Sequence, residues 1–250
     1  MRLPSFLCLG TQKGGTTTLH NLLAQHPQVF LPGCKEVHYF SLHDQQPLSW
    51  YAEHYSAAQP GQRCGDITPY YLFHPRAPLR IQQVLPQAKL IVLLRDPVER
   101  ALSQVFHARR LGFEPLELEA ALAAEPERLA DAEERLREPG STDYSHQKHS
   151  YVSRSRYEQQ LQRYGALFPE RQLLVLSSED LFNATELSWQ RIQAFLELDA
   201  LPLPASLERA NAGRGEAKAV PERVREQLRH ALASTAAAIH QRYGIAWDWP

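Results

Sequence analysis

Short apolar runs alternate with helix-forming stretches along most of the chain. Phe6, Leu7, Cys8 and Leu9 make an apolar strand that closes on Gly10. A glycine-bearing turn carrying Lys13 follows, and Thr16, Thr17 and Thr18 open a helix expected over residues 16–26, where His26-Pro27 stops it. Residues 30–33 read as a turn. Residues 35–40 are short, β-tolerant and charged at their start, which predicts a loop or strand edge on the same rim as the first turn. Residues 47–56 predict a brief helix, and residues 63–71 a strand leading into a turn with an aromatic pair.

Residues 88–94 form a continuous apolar run without alternating polarity, as the centre of a parallel sheet requires. Pro97 suits the first turn of a helix, expected to reach about residue 110. Arg95 and Asp96 then stand at the carboxyl end of a strand, where open α/β sheets bind ligands, with Ser103 about two turns along the helix. Residues 173–176 are a further apolar strand, and Ser177, Ser178, Glu179 and Asp180 form an N-cap pattern for another helix. A last helix is expected over residues 221–243. The alternation predicts an α/β fold, a P-loop-like doubly wound parallel sheet flanked by helices, in one domain over residues 1–250. Residues 115–138, rich in Ala, Glu, Leu and Arg, predict a charged amphipathic helical insertion, followed by a polar loop over 140–150. The insertion reads either as a solvated helix or as a cover for a second substrate.

Composition narrows the classes. A hydrophobic content of 43% in 250 residues is enough for a sizeable core. The net charge of −1 gives no global attraction to nucleic acid or to an anionic membrane, so any basic site must be local. Cys8, Cys34 and Cys64 are odd in number and too widely spaced for a zinc knuckle, which suits reduced thiols. No charged-then-apolar leader is present, and no apolar run approaches the roughly 20 residues needed to span a bilayer. The expectation is a cytoplasmic protein with no transmembrane segment and no nucleic-acid partner.

The strand, turn and helix over residues 6–20 make a cradle for an anion. Glycines let the backbone approach a ligand, and the positive end of the helix faces it. Gly10 and Gly15 have the Walker A separation, but Thr16 stands where that motif needs lysine, and Lys13 comes three residues early. A nucleotide-dependent kinase remains one alternative, with Asp96 as its metal ligand. A non-catalytic nucleotide-binding module is another.

Three longer motifs and one short one occur in order. They are Gln12-Lys13-Gly14-Gly15-Thr16-Thr17-Thr18-Leu19, then Lys35-Glu36-Val37-His38-Tyr39-Phe40, then Leu94-Arg95-Asp96-Pro97-Val98-Glu99-Arg100-Ala101-Leu102-Ser103, and finally Gly213-Arg214. Together they resemble the sulfotransferases that use 3′-phosphoadenosine 5′-phosphosulfate (PAPS), most closely the heparan sulfate glucosaminyl sulfotransferase type. The resemblance implies that Lys13, with Gly14, Gly15, Thr16, Thr17 and Thr18, holds the 5′-phosphosulfate, and that Lys13 neutralises charge on the leaving oxygen. It implies that Arg95 and Ser103 hold the 3′-phosphate, with Gly213 and Arg214 over the nucleotide. The product would be adenosine 3′,5′-bisphosphate, and no metal is demanded.

By the same resemblance Glu36 is the general base, provided burial raises its pKa towards working pH. His38 would orient Glu36 or touch the acceptor. Departures from the family pattern fall mostly on the acceptor side: Ser41 replaces an aspartate, Ile67 a lysine before Thr68-Pro69, and Ala212 a lysine before Gly213. The resemblance thus implies that heparan-type contacts are lost at Ser41 and Ile67, and supports the donor better than heparan as acceptor. A sugar, glycolipid or other small hydroxyl compound, less readily an amine, is the expected acceptor. Tyr39, Phe40, Tyr70, Tyr71 and Phe73 read either as core or as stacking platforms. Ser153, Arg154, Ser155, Arg156 and Tyr157 read either as cleft-lining or as a solvated helix start.

Overall fold

The structure is a computed structural model and describes residues 1–204 and 216–249. Five parallel strands form its sheet: β1 Phe6–Gly10, β2 Val29–Phe30, β3 Arg63–Ile67, β4 Lys89–Leu94 and β5 Leu173–Ser177, in the order β2-β3-β1-β4-β5. Cys8 pairs with Ile67 on one side and Ile91 on the other, and Leu94 pairs with Ser177. The doubly wound expectation is met. From β1 the chain turns towards β2 and β3, whereas from β4 it turns towards β5. The connections diverge between β1 and β4, and a crevice opens at their carboxyl ends.

Both faces of the sheet are buried because side chains alternate along each strand. Leu7, Leu9, Leu90, Val92 and Leu94 pack with Tyr51, Tyr71, Tyr157 and Ile239 on one face. Phe6, Cys8, Ile91 and Leu93 pack on the other with Leu19, Leu22 and Leu23 of helix Thr16–Ala24 and with Trp189 and Ile192 of helix Thr185–Leu196. Burying one leucine contributes about 1.5–3 kcal/mol, and β1 and β4, which flank the crevice, bury leucines and other apolar side chains on both faces of the sheet.

Helix Pro97–Arg110 has the expected bounds, with Pro97 in its first turn and Asp96 as its cap. The last helix, Glu222–Tyr243, packs Val224, Leu228 and Leu232 on Val98 and Leu102. The insertion forms as helices Leu118–Arg128 and Ala132–Arg135. Its longer helix is amphipathic: Glu119, Ala120, Ala123 and Glu127 face solvent, whereas Ala121 is buried and the buried Glu125 carboxylate accepts the Val152 and Ser153 N–H groups at 2.7 and 2.9 Å. The loop expected over 140–150 contains a helix, Tyr144–Lys148, because Asp143 accepts from the His146 N–H at 2.8 Å and caps it. Helix Ala77–Val84 was not foreseen in the sequence.

Candidate functional site

The loop after β1 is held against β4. Thr11 N–H donates to Leu93 O and Gly14 N–H to Thr11 O, both at 2.9 Å. A Cβ on Gly14 would lie 2.8 Å from Leu93 O, so only glycine lets the turn sit this close to the strand. The Gly14 carbonyl accepts from Ser178 Oγ, fastening the loop to the helix after β5. Gly15, at φ 95°, precedes helix Thr16–Ala24, and no side chain caps that helix. Its first N–H groups are left to a ligand. Thr16 and Thr18 are buried, and Thr18 Oγ1 has no hydrogen-bond partner among the described residues. Thr17 Oγ1 accepts from Lys35 Nζ at 2.5 Å.

Lys13 pairs with no carboxylate among the described residues. Burial, then the charges of Arg110, Arg95 and Lys35, push its pKa down to about 8. Four cations, Lys13, Arg95, Arg110 and Lys35, thus act on one glycine turn, a charge distribution that favours an anion there. Arg95 Nη1 donates to Lys13 O at 3.3 Å, and its other terminal nitrogen lies 4.0 Å from Glu99, whose carboxylate is already held by Arg225. Ser103 is half-buried and makes no side-chain hydrogen bond among the described residues. His107 and Arg110 continue its helix face by one turn and by two. His107 is pushed down to about 4 by burial and by Lys13, Arg110 and Lys148, against the opposing charge of Glu36.

Asp96 is not available as a metal ligand. One carboxylate oxygen accepts from the Val98 and Glu99 N–H groups at 2.8 and 3.1 Å, and the other accepts from Trp249 Nε1 at 2.8 Å. It is a helix cap, which removes the support for the kinase reading.

Opposite the cradle lies the loop carrying Glu36. No strand forms there, and Glu36 and His38 adopt left-handed backbone at φ 65° and 58°. The cause is anchoring by their neighbours: Val37, Tyr39 and Phe40 are buried, and Tyr39 stacks on Tyr51 with ring centres 4.4 Å apart. Tyr51 and Tyr71 both donate to the buried Asp66 carboxylate, at 2.8 and 2.9 Å, and Thr68 adds a third bond at 2.6 Å. Burial still raises the Asp66 pKa despite these bonds. Tyr39, Phe40, Tyr70, Tyr71 and Phe73 are all core residues, which excludes them as open stacking platforms.

Lys35 joins the two sides. Its Nζ reaches Thr17 and lies 4.0 Å from Glu36 Oε1. His38 Nε2 lies 3.4 Å from Glu36 Oε2, and His38 Nδ1 lies 3.1 Å from Ser41 Oγ. His38 thus lies within hydrogen-bond reach of Glu36. The expectation that burial raises the Glu36 pKa is corrected: burial does push it up, but the His38 hydrogen bond and the charges of His38, Lys35 and Arg154 hold it below its ordinary value.

Of residues 153–157, Arg154, Ser155 and Tyr157 are buried, so this stretch is not a solvated helix start. Tyr157 donates to Arg95 O at 2.9 Å. Arg154 bonds Gln12 in the loop. Lys148, 4.6 Å from the Phe113 ring centre, adds a cation from helix Tyr144–Lys148. Lys148 had no sequence signal, whereas the spacing of His107 and Arg110 from Ser103 could have flagged both. Gly213 and Arg214 lie outside the described residues.

A family model for the sulfotransferase domain matches residues 3–230. A Dictyostelium discoideum protein named membrane-associated sulfotransferase kil1 is 43% identical over 105 residues, which are 41% of this chain and 22% of that protein. Human heparan sulfate glucosamine 3-O-sulfotransferase 3B1 is 31% identical over 197 residues, 79% of this chain and 47% of the relative. The chain thus spans less than half the length of these curated relatives. The crystal structure of a sulfotransferase from Alicyclobacillus acidocaldarius shares the fold with a TM-score of 0.80 at 24% identity, covering 99% of this chain and 98% of that one. Mouse sulfotransferase SULT7A1, crystallised with PAP, superposes with a TM-score of 0.58 at 14% identity over 98% of this chain and 90% of that one. No described helix is long and apolar enough to cross a membrane.

Proposed function

The chain belongs to the sulfotransferase family, and on that premise we propose that it moves a sulfuryl group from PAPS to a hydroxyl, less readily an amine, of a sugar, glycolipid or other small acceptor. The observation that carries this reading is the bridge made by Lys35, which touches both the Thr17 hydroxyl of the cradle and the Glu36 carboxylate. It sets an anion site and a carboxylate base side by side. The cations gathered around Lys13, the close approach at Gly14 and the unpartnered Thr18 hydroxyl suit a phosphosulfate held largely by backbone N–H groups.

PAPS supplies an activated sulfuryl group, whose bond to the 5′-phosphate oxygen breaks as the acceptor oxygen bonds to sulfur. Glu36 takes the acceptor proton on a carboxylate oxygen, and His38 holds that carboxylate in place. The lowered pKa keeps Glu36 ionised at neutral pH but makes it a weaker base, so it takes the proton only as bonding to sulfur makes the acceptor hydroxyl more acidic. Lys13 counters the negative charge left on the phosphate oxygen, while Gly14, Gly15, Thr16, Thr17 and Thr18 line the cradle. Arg95 and Ser103 take the 3′-phosphate, joined by Gly213 and Arg214; arginine's planar fork suits that group. The protein's work is positioning and electrostatics, as in phosphoryl transfer.

The relative named for heparan sulfate acts on a sugar, which favours a carbohydrate acceptor. Incubation with PAPS and a panel of hydroxyl and amine compounds, read by mass spectrometry, tests the reading. It predicts an added sulfuryl group and an equal amount of adenosine 3′,5′-bisphosphate. Intact PAPS with every acceptor, in protein shown to be folded, would contradict it.

A further inference from the structure

The peptide unit that joins Arg95 to Asp96 is held on both of its edges by side chains. Its carbonyl, Arg95 O, accepts from the Tyr157 hydroxyl at 2.9 Å, and its N–H, on Asp96, donates to Glu179 Oε1 at 3.1 Å. β4 has ended at Leu94, so side chains do here what the sheet does along the strand.

One residue backs both holds. Trp247 Nε1 donates to Glu179 Oε2 at 3.4 Å, beside the Ser177 hydroxyl at 2.9 Å, and its ring lies tilted to the buried Tyr157 ring with centres 6.3 Å apart. Two positions on, Trp249 Nε1 donates to Asp96 Oδ2 at 2.8 Å, and its side chain packs with Val98 and Leu102. A three-residue turn, closed by Trp249 N–H donating to Trp247 O at 2.9 Å, joins the two tryptophans. Packing alone asks only that an indole N–H find some acceptor, water included. Here both go to carboxylates that grip the same short segment.

That segment carries the residue aimed at the donor. The Arg95 side chain leaves it towards the cradle, where Nη1 donates to Lys13 O at 3.3 Å. Glu179 follows Ser178, whose hydroxyl donates to Gly14 O. The start of helix Ser178–Asn183 thus sets the cradle through Ser178 and the base of Arg95 through Glu179, and Trp247 fastens it.

We propose that Trp247 and Trp249 are positioning residues for the donor: by holding Glu179 and Asp96 they fix the Arg95–Asp96 peptide, and with it the direction in which Arg95 meets the 3′-phosphate. The proposal rests on the reading of Arg95 as the 3′-phosphate residue. Misplacing a positioned group by about 1 Å can cost about 10²-fold in rate.

Two ligands test it by calorimetry: adenosine 3′,5′-bisphosphate, which the wild-type protein should prefer, and adenosine 5′-monophosphate, which lacks the 3′-phosphate. Trp247→Phe and Trp249→Phe each keep an aromatic ring and remove the N–H. Each should weaken the bisphosphate about two- to tenfold and leave the monophosphate within about twofold of wild type. Loss of both ligands alike, which a merely loosened fold would give, or loss of neither, overturns the proposal. Tyr157→Phe removes the other hold on the same peptide and should show the same selective loss. An unaltered preference in Tyr157→Phe overturns the proposal even if neither tryptophan variant folds.

Arg95→Gln separates this proposal from the reading beneath it, because it should abolish the preference for the bisphosphate. A preference kept in Arg95→Gln, or absent from the wild-type protein, removes Arg95 from the 3′-phosphate and overturns that part of the proposal. Amide hydrogen exchange in ligand-free protein still judges the hold itself: Trp247→Phe should speed exchange of the Asp96 N–H about two- to tenfold. An unchanged rate overturns it.

Discussion

The cradle and the wall facing it are built in opposite ways. The cradle is local: β1, one turn and one helix supply Lys13, Gly14, Gly15 and the threonines, and the adjacent end of β4 supplies Arg95. Its donors are mainly backbone N–H groups and long cations. The facing wall is assembled from distant segments, with Glu36 and His38 on a loop, Lys148 on helix Tyr144–Lys148 and Arg154 beyond it. Its geometry depends on a buried network of Tyr51, Tyr71, Thr68 and Asp66. A backbone cradle tolerates side-chain change and serves one donor, whereas a side-chain wall can be altered piece by piece to suit different acceptors.

Substitutions on each side should separate these roles. Glu36→Gln removes the proton acceptor and should lower turnover about 10²–10⁴-fold, leaving affinity for adenosine 3′,5′-bisphosphate within about twofold by calorimetry, on the order of 0.4 kcal/mol. Parallel losses of binding and turnover would show that the two sides are not separable. Lys13→Met should damage both functions, lowering turnover about 10²–10³-fold and weakening the bisphosphate as well.

Acidity probes the comparison more gently. An anion in the cradle favours protonated Lys13, so its pKa must rise on binding from about 8 in the free protein. Below that pH the proton is already present and affinity is flat in this group. Above it, binding takes up a proton, and affinity should fall by up to about tenfold per pH unit. Calorimetry in buffers of different ionisation enthalpy would detect the proton uptake above pH 8, and its absence would remove Lys13 from contact with the anion.

A further probe, read as stability and not as binding, lies behind the facing wall. Burial, reinforced by nearby cations, pushes His74 down to about 3 and His146 to about 2, from ordinary values of 6.5. Both stay neutral in the fold while the unfolded chain binds protons near 6.5. Stability is therefore retained above that pH and lost as pH falls from 6.5 towards 3, on the order of 1 kcal/mol per pH unit for each histidine. Urea unfolding of His146→Gln across this range should show a shallower acid decline than wild type.

The same contrast governs what the sequence revealed. The apolar run of β4, Asp96 as a cap and Pro97 in the first turn are local signals, and helix Pro97–Arg110 formed over its expected range. The glycine turn was readable for the same reason. Glu36 was recognisable by its motif, but its lowered pKa comes from His38, Lys35 and Arg154, two of them adjacent in the chain and one far away. Arg154 and Lys148 arrive through the packing of helix Tyr144–Lys148 and the turn Ser153–Ser155, which no periodicity encodes. Asp96 looked like a metal ligand because its second partner, Trp249, lies 153 positions away.

The central claim is that the displaced lysine and Arg95 make a site for a 3′-phosphorylated adenosine donor and not for a nucleoside triphosphate. Thermal unfolding with adenosine 3′,5′-bisphosphate, and separately with ATP plus magnesium, tests it most directly. At a hundredfold excess over its dissociation constant, a ligand specific to the folded state adds about 2.7 kcal/mol of apparent stability. The account predicts that shift with the bisphosphate in the absence of magnesium and little with ATP. Stabilisation by ATP and magnesium, with none from the bisphosphate, would contradict it.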